Sequence, residues 1–517
     1  MSGFDAIVVG AGHNGLTAAA TLARAGRKVA VLEQADAVGG AARTVHLAPG
    51  LRGPQLAHLL FNLSPTVVQE LNLAAHGLEF AATDLPTVSL APEGRHVVIA
   101  GGRAARADGS PLREAAAFAA LRERLVRYAG VLAPMLLAPP PRLGEGGWRE
   151  APALGRLALR LRLLGKPEMR EFLRLLLCNA GDAIADEIQD GPLAGAMAVD
   201  AVLGGHVGPR SPGTVLTLMY RLAHGGTLAV PRGGVGALVA ALARAATKAG
   251  AEIRTGAAVR RILIERDVAA GVQLASGETL RAPLVLCGAD AATLLRLTGP
   301  EHFDAEMVRR IRHVRAKGTT AKLNLALSDL PRFTGLDPAQ LRGRILLAPS
   351  LRYVEAAFDP AKYGELSPAP ILDLTIPTLA DPSLADQGGH VLSAIVQYAP
   401  HGLRGGWTDE AKARLVETVL GALEPYAPDL RRLVTARQVF TPVDIERLTG
   451  ATGGHWHHGE LAVDQMLMLR PVNGMGHYAT GIGGLFLCGA AAHPGGDVMG
   501  VAGRNAALAA MNGGGHA

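Results

Sequence analysis

Three glycines near the start of the chain have a spacing that suits phosphate binding. Gly10, Gly12 and Gly15 form a G-x-G-x-x-G pattern, and Glu33 follows about 20 residues on, as this pattern requires. The first glycine permits a tight turn, the second lets a pyrophosphate approach the backbone, and the third lets a helix pack on a sheet. The acid is placed to accept hydrogen bonds from ribose hydroxyls. This spacing predicts a dinucleotide site, to which the adjacent residues His13, Asn14 and Gln34 also belong.

A second glycine pair follows the acid and points to a further stretch of the same ligand. Gly39 and Gly40 permit close backbone approach next to Ala41, and Arg43 is placed to neutralise phosphate charge. The G-G-x-x-R arrangement resembles that of the FAD-containing amine oxidase and carotenoid desaturase superfamily. This resemblance selects FAD over NAD, a choice that the first glycine pattern leaves open.

A third glycine-rich turn lies near the end of the chain. A short apolar strand leads into Gly489, and a helix is expected from about Arg504 to Met511. A helix N-terminus offers unpaired N–H groups and partial positive charge to an anionic ligand. Asp497, Val498 and Met499 belong to this predicted site, and two roles stay open for Asp497: binding a ribityl hydroxyl, or capping the final helix.

The elements around these turns predict a fold. Residues 5–9 and 28–32 are short β-branched runs suited to buried parallel strands, with a helix from Leu16 to Ala25 between them. Residues 233–290 carry a second helix and strand block. Its opening glycines, Gly233 to Gly236, follow no β-branched strand, which disfavours a second nucleotide loop. We expect an α/β protein with a Rossmann-like FAD-binding domain, split in sequence, and an inserted α+β substrate domain. The FAD-binding pieces are residues 1–85, 228–300 and 465–517, and the substrate pieces are 86–227 and 301–464.

Nearly the whole chain resembles the carotenoid (phytoene) desaturase superfamily of FAD-dependent oxidoreductases. This superfamily includes desaturase-type carotenoid ketolases and the pyridine nucleotide-disulphide oxidoreductase domain-containing branch. The resemblance rests on several strings, among them residues 9–16, 38–42, 231–238, 376–382, 461–466 and 493–496. It implies hydride transfer between flavin N5 and an apolar isoprenoid or lipid-like substrate, with the Val259 backbone near the adenine. No C-x-x-C or C-x4-C pair occurs among the three cysteines, which argues against thiol–disulphide chemistry.

Catalytic side chains are harder to select from the sequence. His58 follows the first cofactor segment, and His458 and Asp464 lie in a string that the resemblance places near the flavin. A satisfied structural histidine competes with the catalytic interpretation at both histidine positions. The histidines of residues 454–460 resemble a metal cluster, but zinc ligands are normally spread over separate elements, so we expect no metal.

The charge and composition of the chain limit the classes of partner that it can bind. The net charge of +6 is mild for 517 residues, and neither zinc spacing nor an RNA-recognition motif suggests a nucleic acid. We find neither a signal peptide nor an apolar run long enough to span a membrane, and expect a cytoplasmic protein. Residues 156–178 interleave arginines with leucines, which suits peripheral contact with an anionic membrane, and two solvated helices that cover a core are the competing interpretation. Pro167 is expected to separate the two helices.

Two other functions stay open at this point. One is an FAD oxidase or dehydrogenase of a small polar substrate such as an amine, which an aromatic cage facing the flavin would favour. Only seven Tyr and three Trp are available for such a cage. The other is a flavin-binding interaction protein with little turnover. O2, a quinone and a nicotinamide are all compatible electron acceptors, and no oligomeric state is predicted.

Overall fold

The computed structural model describes residues 3–141, 151–223, 226–386 and 388–513. Its strands, in chain order, are β1 (Ala6–Val9), β2 (Val29–Leu32), β3 (Thr44–Ala48), β4 (Leu51–Pro54), β5 (Phe80–Ala82), β6 (Thr87–Ser89), β7 (Val97–Ala100), β8 (Arg103–Arg106), β9 (Val230–Pro231), β10 (Glu252–Arg254), β11 (Val259–Glu265), β12 (Val268–Leu274), β13 (Thr279–Arg281), β14 (Leu284–Cys287), β15 (Thr320–Leu327), β16 (Arg344–Leu347), β17 (Ile371–Thr375), β18 (His390–Gln397), β19 (Val434–Phe440) and β20 (Leu485–Leu487).

The helices, in the same order, are α1 (His13–Arg24), α2 (Pro65–Glu70), α3 (Ala115–Leu136), α4 (Ala151–Leu163), α5 (Lys166–Leu177), α6 (Ala180–Ala185), α7 (Pro192–Val202), α8 (Thr214–Leu222), α9 (Gly236–Lys248), α10 (Ala291–Thr298), α11 (Ala305–Arg312), α12 (Leu351–Phe358), α13 (Pro377–Ala380), α14 (Asp409–Leu423), α15 (Leu430–Leu433), α16 (Pro442–Thr449) and α17 (Val501–Met511). The chain is therefore of mixed α/β class, as predicted.

One sheet gathers strands from three separated stretches of chain. Its five strands run parallel in the order β10-β2-β1-β14-β20. The strands β1 and β2 are buried along their whole length, as their β-branched runs predicted. Helices α9 and α17 both pack against α1, where Gly503 allows α17 to approach the backbone of Asn14. The fold is Rossmann-like, with strands β11 to β13 forming a separate antiparallel meander.

A second, mixed sheet has eight strands in the order β19-β15-β18-β17-β16-β6-β7-β8. Its strands come from residues 87–106 and 320–440, the two stretches outside the cofactor sheet. Leucines and valines on one face form an apolar core beneath helix α14. The opposite face carries polar side chains, although its central strands β15 and β17 are buried at every residue.

Two local expectations need correction. The helices α4 and α5 are separate, but the break is at Gly165, which has a φ of 83°, and Pro167 lies in the first turn of α5. Proline is well tolerated in a first helical turn because its missing N–H would have no partner there. The final helix begins at Val501, earlier than expected.

Candidate active site

A cleft lies at the carboxyl ends of β1 and β2, the usual place for a ligand of a parallel α/β sheet. Most of the residues predicted for the cofactor line it: Gly10, Gly12, His13, Asn14, Gly15, Glu33, Gln34, Gly40, Ala41, Arg43, Val259 and Gly489. Three stretches of chain that are far apart in sequence therefore meet in one site.

The first glycine turn has the shape that a phosphate cradle needs. Gly10 has a φ of 95°, and a Cβ on Gly15 would lie 2.0 Å from the Gly10 carbonyl oxygen. A Cβ on Gly10 or Gly12 would meet no protein atom within 4 Å, so these glycines keep the cleft side of the turn open. The backbone and the N-terminus of α1 are thus available to a pyrophosphate.

Glu33 also shapes the turn itself. Its carboxylate accepts hydrogen bonds from the backbone N–H groups of Ala11, at 2.7 Å, and Ala35, at 3.0 Å. Each carboxylate oxygen has a further lone pair, which leaves capacity for ribose hydroxyls. The sequence predicted only the ribose role, whereas the structure adds that Glu33 holds the glycine loop in place.

The two glycines of the second pair have different roles, one in the cleft lining and one in the packing of the fold. Gly40 lines the cleft, whereas Gly39 pairs with the first turn by donating from its backbone N–H to the Ala11 carbonyl at 2.9 Å. Arg43 lines the cleft and pairs at 3.3 Å with Asp36, a highly exposed carboxylate. An exposed ion pair of this kind is weak, so the guanidinium stays available to a phosphate.

The opening glycines of α9 are not a second nucleotide loop. The Thr44 hydroxyl donates to the Gly233 carbonyl at 3.1 Å and accepts from the Gly236 N–H at 3.0 Å. Asp381 accepts from the Gly233 N–H. The helix N-terminus is therefore occupied by side chains of the protein itself.

Asp497 is partly buried beside the C-terminal turn and does not cap a helix. Helix α17 follows Gly500 without a side-chain cap, so the capping interpretation is wrong. The Asp497 carboxylate instead accepts from Asn62 Nδ2 at 2.8 Å and lies 3.4 Å from His457 Nε2. Burial raises the pKa of Asp497, but the contacts with His457 and Asn62 and the charge of Arg221 outweigh it and leave a pKa of about 2.

The neighbouring predicted residues Val498 and Met499 are not among the side chains that line the cleft in the described chain. Met499 is buried, with its sulfur 3.9 Å from the Tyr220 hydroxyl. The same hydroxyl donates to the Gly496 carbonyl at 2.8 Å, so it fastens α8 to the C-terminal turn.

Arg470 is a structural residue that the sequence analysis did not select. Its guanidinium is fully buried and donates to the carbonyls of Ala490 at 2.8 Å, Glu460 at 3.2 Å and His457. It thereby fastens the 455–465 segment, which brings Trp456 and His458 to the cleft, onto the turn after β20. The sequence signal that could have identified Arg470 is its position before a proline in an otherwise apolar string.

The three catalytic candidates lie in different surroundings. His458 lines the cleft, and its Nδ1 has no hydrogen-bond partner in the described chain. Asp464 is an exposed carboxylate held by two bonds from Arg315, at 2.6 and 2.8 Å, away from the cleft lining. His58 is buried against the polar face of the eight-stranded sheet.

This polar face lies next to the cofactor cleft. Gln55 lines the cleft, and the carbonyl of the preceding Pro54 accepts from Asn324 Nδ2 of β15 at 2.8 Å. Strand alternation places Lys322 on the same face as Asn324, and pairing along the sheet adds Asp373 and Arg344. The segment that carries His58 therefore separates the cleft from a buried polar surface.

The charges on this surface are closely coupled. Arg344 donates from Nε to Asp373 Oδ2 at 3.0 Å, and His58 Nε2 lies 3.6 Å from Asp373 Oδ1. Burial lowers the pKa of His58 to about 4, helped by the charge of Lys322, so this imidazole is neutral at pH 7. Burial also lowers the pKa of the Lys322 ammonium far below its usual value.

Sequence reasoning missed Lys322, Arg344 and Asp373, although a signal existed. Residues 320–327 alternate polar and apolar types in a strand that is buried on both faces. A lysine in such a strand needs either a partner or a functional role, because burying an ammonium group is costly.

No group of three His, Cys, Asp or Glu side chains is placed to hold a metal ion within the residues that the structure describes. His455 and His457 are instead buried beside Arg470, and His457 also faces Asp497. The three cysteines are free, and burial raises the pKa of the Cys287 thiol to about 12.

The glycine cradle, the acid after β2 and the C-terminal turn define an FAD-dependent oxidoreductase. The chain belongs to the flavin containing amine oxidoreductase family, whose model matches residues 15–510. The superfamily expected from the sequence is therefore confirmed. FAD is the cofactor, and the open side of the glycine turn fits its pyrophosphate.

Relatives along the full chain carry different names. A mouse (Mus musculus) protein named pyridine nucleotide-disulfide oxidoreductase domain-containing protein 2 is 34% identical over 98% of this chain and 92% of its own. A limonene dehydrogenase component from Castellaniella defragrans is 28% identical over 97% and 93% of the two chains. The lycopene-forming phytoene desaturase of Pseudescherichia vulneris is 25% identical over 98% of each.

Solved structures show the same fold at lower identity. An oxidoreductase from Methanosarcina mazei has a TM-score of 0.60 at 18% identity, covering 98% of this chain and 99% of its own. Cyclohexylamine oxidase from Brevibacterium oxydans also has a TM-score of 0.60, at 16% identity, covering 99% of each chain. At these identities the likeness concerns the fold.

Proposed function

We propose that the protein oxidises an apolar isoprenoid or lipid-like substrate by hydride transfer. The observation that carries this proposal is a cavity with largely apolar walls between helices α3, α7 and α8, which we call the α3–α8 cavity. Phe118 and Leu125 of α3, Met197 of α7 and Leu218 of α8 line it. Walls of this kind suit a hydrocarbon chain, and relatives named limonene dehydrogenase and phytoene desaturase support the same substrate class.

Bound FAD supplies an acceptor for a hydride from a substrate carbon. In a desaturation the neighbouring carbon also loses a proton, while the electrons of that second C–H bond form the new double bond. We assign the proton to His58. Its ring is neutral at pH 7, both ring nitrogens lack hydrogen-bond partners in the described chain, and Asp373 is close enough to stabilise the imidazolium that forms.

Asp373 is suited to that supporting role because it stays ionised. Its carboxyl is fully buried, which by itself raises the pKa, but Arg344 and His58 hold the pKa well below its usual value. Arg344 connects His58 and Asp373 to the α3–α8 cavity, because Arg344 lines the cavity and contacts Asp373, which faces His58.

The helices α4 and α5 provide a route for a lipid-like substrate in this proposal. Helix α4 has no buried side chain, and four large apolar residues on the two helices are strongly exposed: Leu159, Leu163, Leu173 and Leu177. Arginines such as Arg156 and Arg160 lie among them. Exposed leucines with a basic complement suit the surface of an anionic bilayer. In the described part of the chain, no helix is long and apolar enough to cross a membrane.

Anaerobic mixing of the holoprotein with candidate substrates tests the reaction. We expect the absorbance of the oxidised flavin to bleach with a polyene or monoterpene presented in detergent, and to persist with cyclohexylamine or putrescine. Dithionite provides the control that the bound flavin can be reduced. Bleaching by the amines, with none by the apolar compounds, would overturn the proposal in favour of amine oxidation.

A further inference from the structure

Asp497 combines two features that are unfavourable for folding. Its φ of 68° lies in the left-handed region, which glycine adopts freely and residues with a side chain adopt rarely. Its carboxylate is also largely withdrawn from water, and removing an ion from water is costly. Backbone outliers of this kind cluster at functional sites, which makes the charge of Asp497 a candidate for a functional role.

The contacts of Asp497 place it between the cofactor cleft and the α3–α8 cavity. On the cleft side its Oδ1 lies 3.4 Å from Nε2 of His457, whose two neighbours in sequence line the cleft. On the cavity side its Oδ2 accepts from Asn62 Nδ2 at 2.8 Å, and the preceding Phe61 lines the cavity. These two contacts do not enclose the carboxylate, because 14% of the side chain stays exposed.

The residues along the cofactor cleft indicate which part of FAD comes near this carboxylate. Glu33, the acceptor for the ribose, lies next to the segment before β11, since the Ala257 N–H donates to the Glu33 carbonyl at 2.8 Å. His13, beyond the glycine turn, begins α1, lines the cleft and lies within reach of the Asp497 charge. With its ribose at Glu33 and its pyrophosphate on the glycine turn, FAD therefore extends its flavin ring towards Asp497.

The surroundings of Asp497 offset its charge only in part. Burial lowers the pKa of His457, so this ring is mainly neutral at pH 7. Arg221, whose charge acts on Asp497, also donates to Asp200 at 3.2 Å. The buried guanidinium of Arg470 donates to backbone carbonyls of the same turn, and the N-terminus of α17 adds partial positive charge. These positive groups are present whatever residue stands at position 497, so its carboxylate makes a separate, negative contribution.

We propose that Asp497 faces the flavin ring of bound FAD and lowers its reduction potential. Reduction adds negative charge to the ring, and a carboxylate close by in a site with little water opposes that charge. Reoxidation of the reduced flavin becomes correspondingly more favourable. This inference depends on the FAD site and not on the substrate, so it goes beyond the proposed function and can fail or hold independently of it.

Potentiometric titration of the holoprotein, followed by flavin absorbance, tests the inference with two variants. Asp497→Asn removes the charge and keeps the size of the side chain, whereas Asp497→Gly removes the side chain and suits the φ of 68°. At the midpoint potential of the unmodified protein, we expect the ratio of reduced to oxidised flavin to rise at least about tenfold in both variants. A tenfold rise corresponds to an upward shift of about 30 mV for a two-electron couple.

Glu70→Gln is the matched control. It removes a carboxylate that accepts from Arg504 of α17 at 2.6 Å but does not line the cofactor cleft, so we expect an unchanged potential. An unchanged or lower potential in D497N would overturn the inference. A rise in D497G alone would do the same, because it would assign the effect to packing and not to charge. Flavin content and melting temperature establish that each variant is folded and loaded.

Discussion

At the scale of single residues, burial decides which side chains of the site are charged. His58 and Asp373 face one another in a dry environment, where Arg344 holds the carboxylate ionised and desolvation keeps the imidazole neutral. The resulting pair has one acceptor for a proton and one negative charge to stabilise the product. A histidine and a carboxylate exposed on the protein surface would not combine these two properties.

The variant His58→Asn tests the assigned proton transfer. We expect the rate of flavin reduction by substrate to fall by about 10²- to 10⁴-fold, because a positioned base contributes that much. Flavin content is expected to stay the same, since His58 does not line the cofactor cleft. Stopped-flow absorbance measures the rate, and His46→Asn, at an exposed position of β3, is the matched control. An H58N enzyme that reduces its flavin at the normal rate would exclude this role.

At the scale of elements, close backbone approach shapes the cofactor site. Helix α1 begins against the end of β1 with no room for a side chain at Gly15, and the turn after β20 meets Gly288 in the same way at Gly489. The motif spacing predicted the first contact. The second depends on β14 and β20 being neighbours, which their distant positions in the sequence do not reveal.

The variant Gly15→Ala tests that contact. Its methyl group would force the turn from Gly10 away from α1, and we expect a loss of about 1–3 kcal/mol in the free energy of unfolding together with weaker flavin binding. Gly130→Ala lies at an exposed position in the middle of α3 with no atom within 4 Å, and should raise stability by up to about 1 kcal/mol. Urea titration and flavin fluorescence measure the two effects. Full flavin binding by G15A would contradict this expectation, because it would show that the turn can move to accommodate the added methyl group.

The pair α4 and α5 acts as one element in the proposed membrane contact. We expect Leu159→Ser with Leu163→Ser to reduce co-flotation with vesicles containing phosphatidylglycerol, by about 1.5–3 kcal/mol of binding free energy per leucine removed. Tyr363→Ser, which removes an exposed ring on another part of the surface, is the control. Flotation of the double variant at the level of the unmodified protein would refute the contact, as would equal binding to neutral vesicles.

At the scale of the whole molecule, buried histidines link stability to pH. Burial lowers the pKa of His58 and His493 to about 4 each, against 6.5 in the unfolded chain. Between these values the unfolded state binds protons that the folded state does not, so stability is complete above pH 6.5 and falls as the pH is lowered.

We expect each of the two histidines to cost about 1.4 kcal/mol per pH unit within this window. Unfolding of the holoprotein by urea at intervals from pH 7 to pH 4.5 measures the slope. The carboxyl of Asp497 titrates below this range, because its pKa is about 2. Stability that stays constant between pH 6.5 and pH 4.5 would contradict neutral burial of these rings.

The sequence by itself determined the dinucleotide site and the fold class, because a dinucleotide turn depends on local contacts. Gly10, Gly12, Gly15 and Glu33 act within one strand, turn and helix unit, so their spacing carries the information. Tertiary structure alone decided the remainder of the site. Lys322, Arg344 and Asp373 come from three strands of one sheet, and their common face follows from strand order and register. Burial next to other charges, and not local pattern, gives these side chains their chemistry.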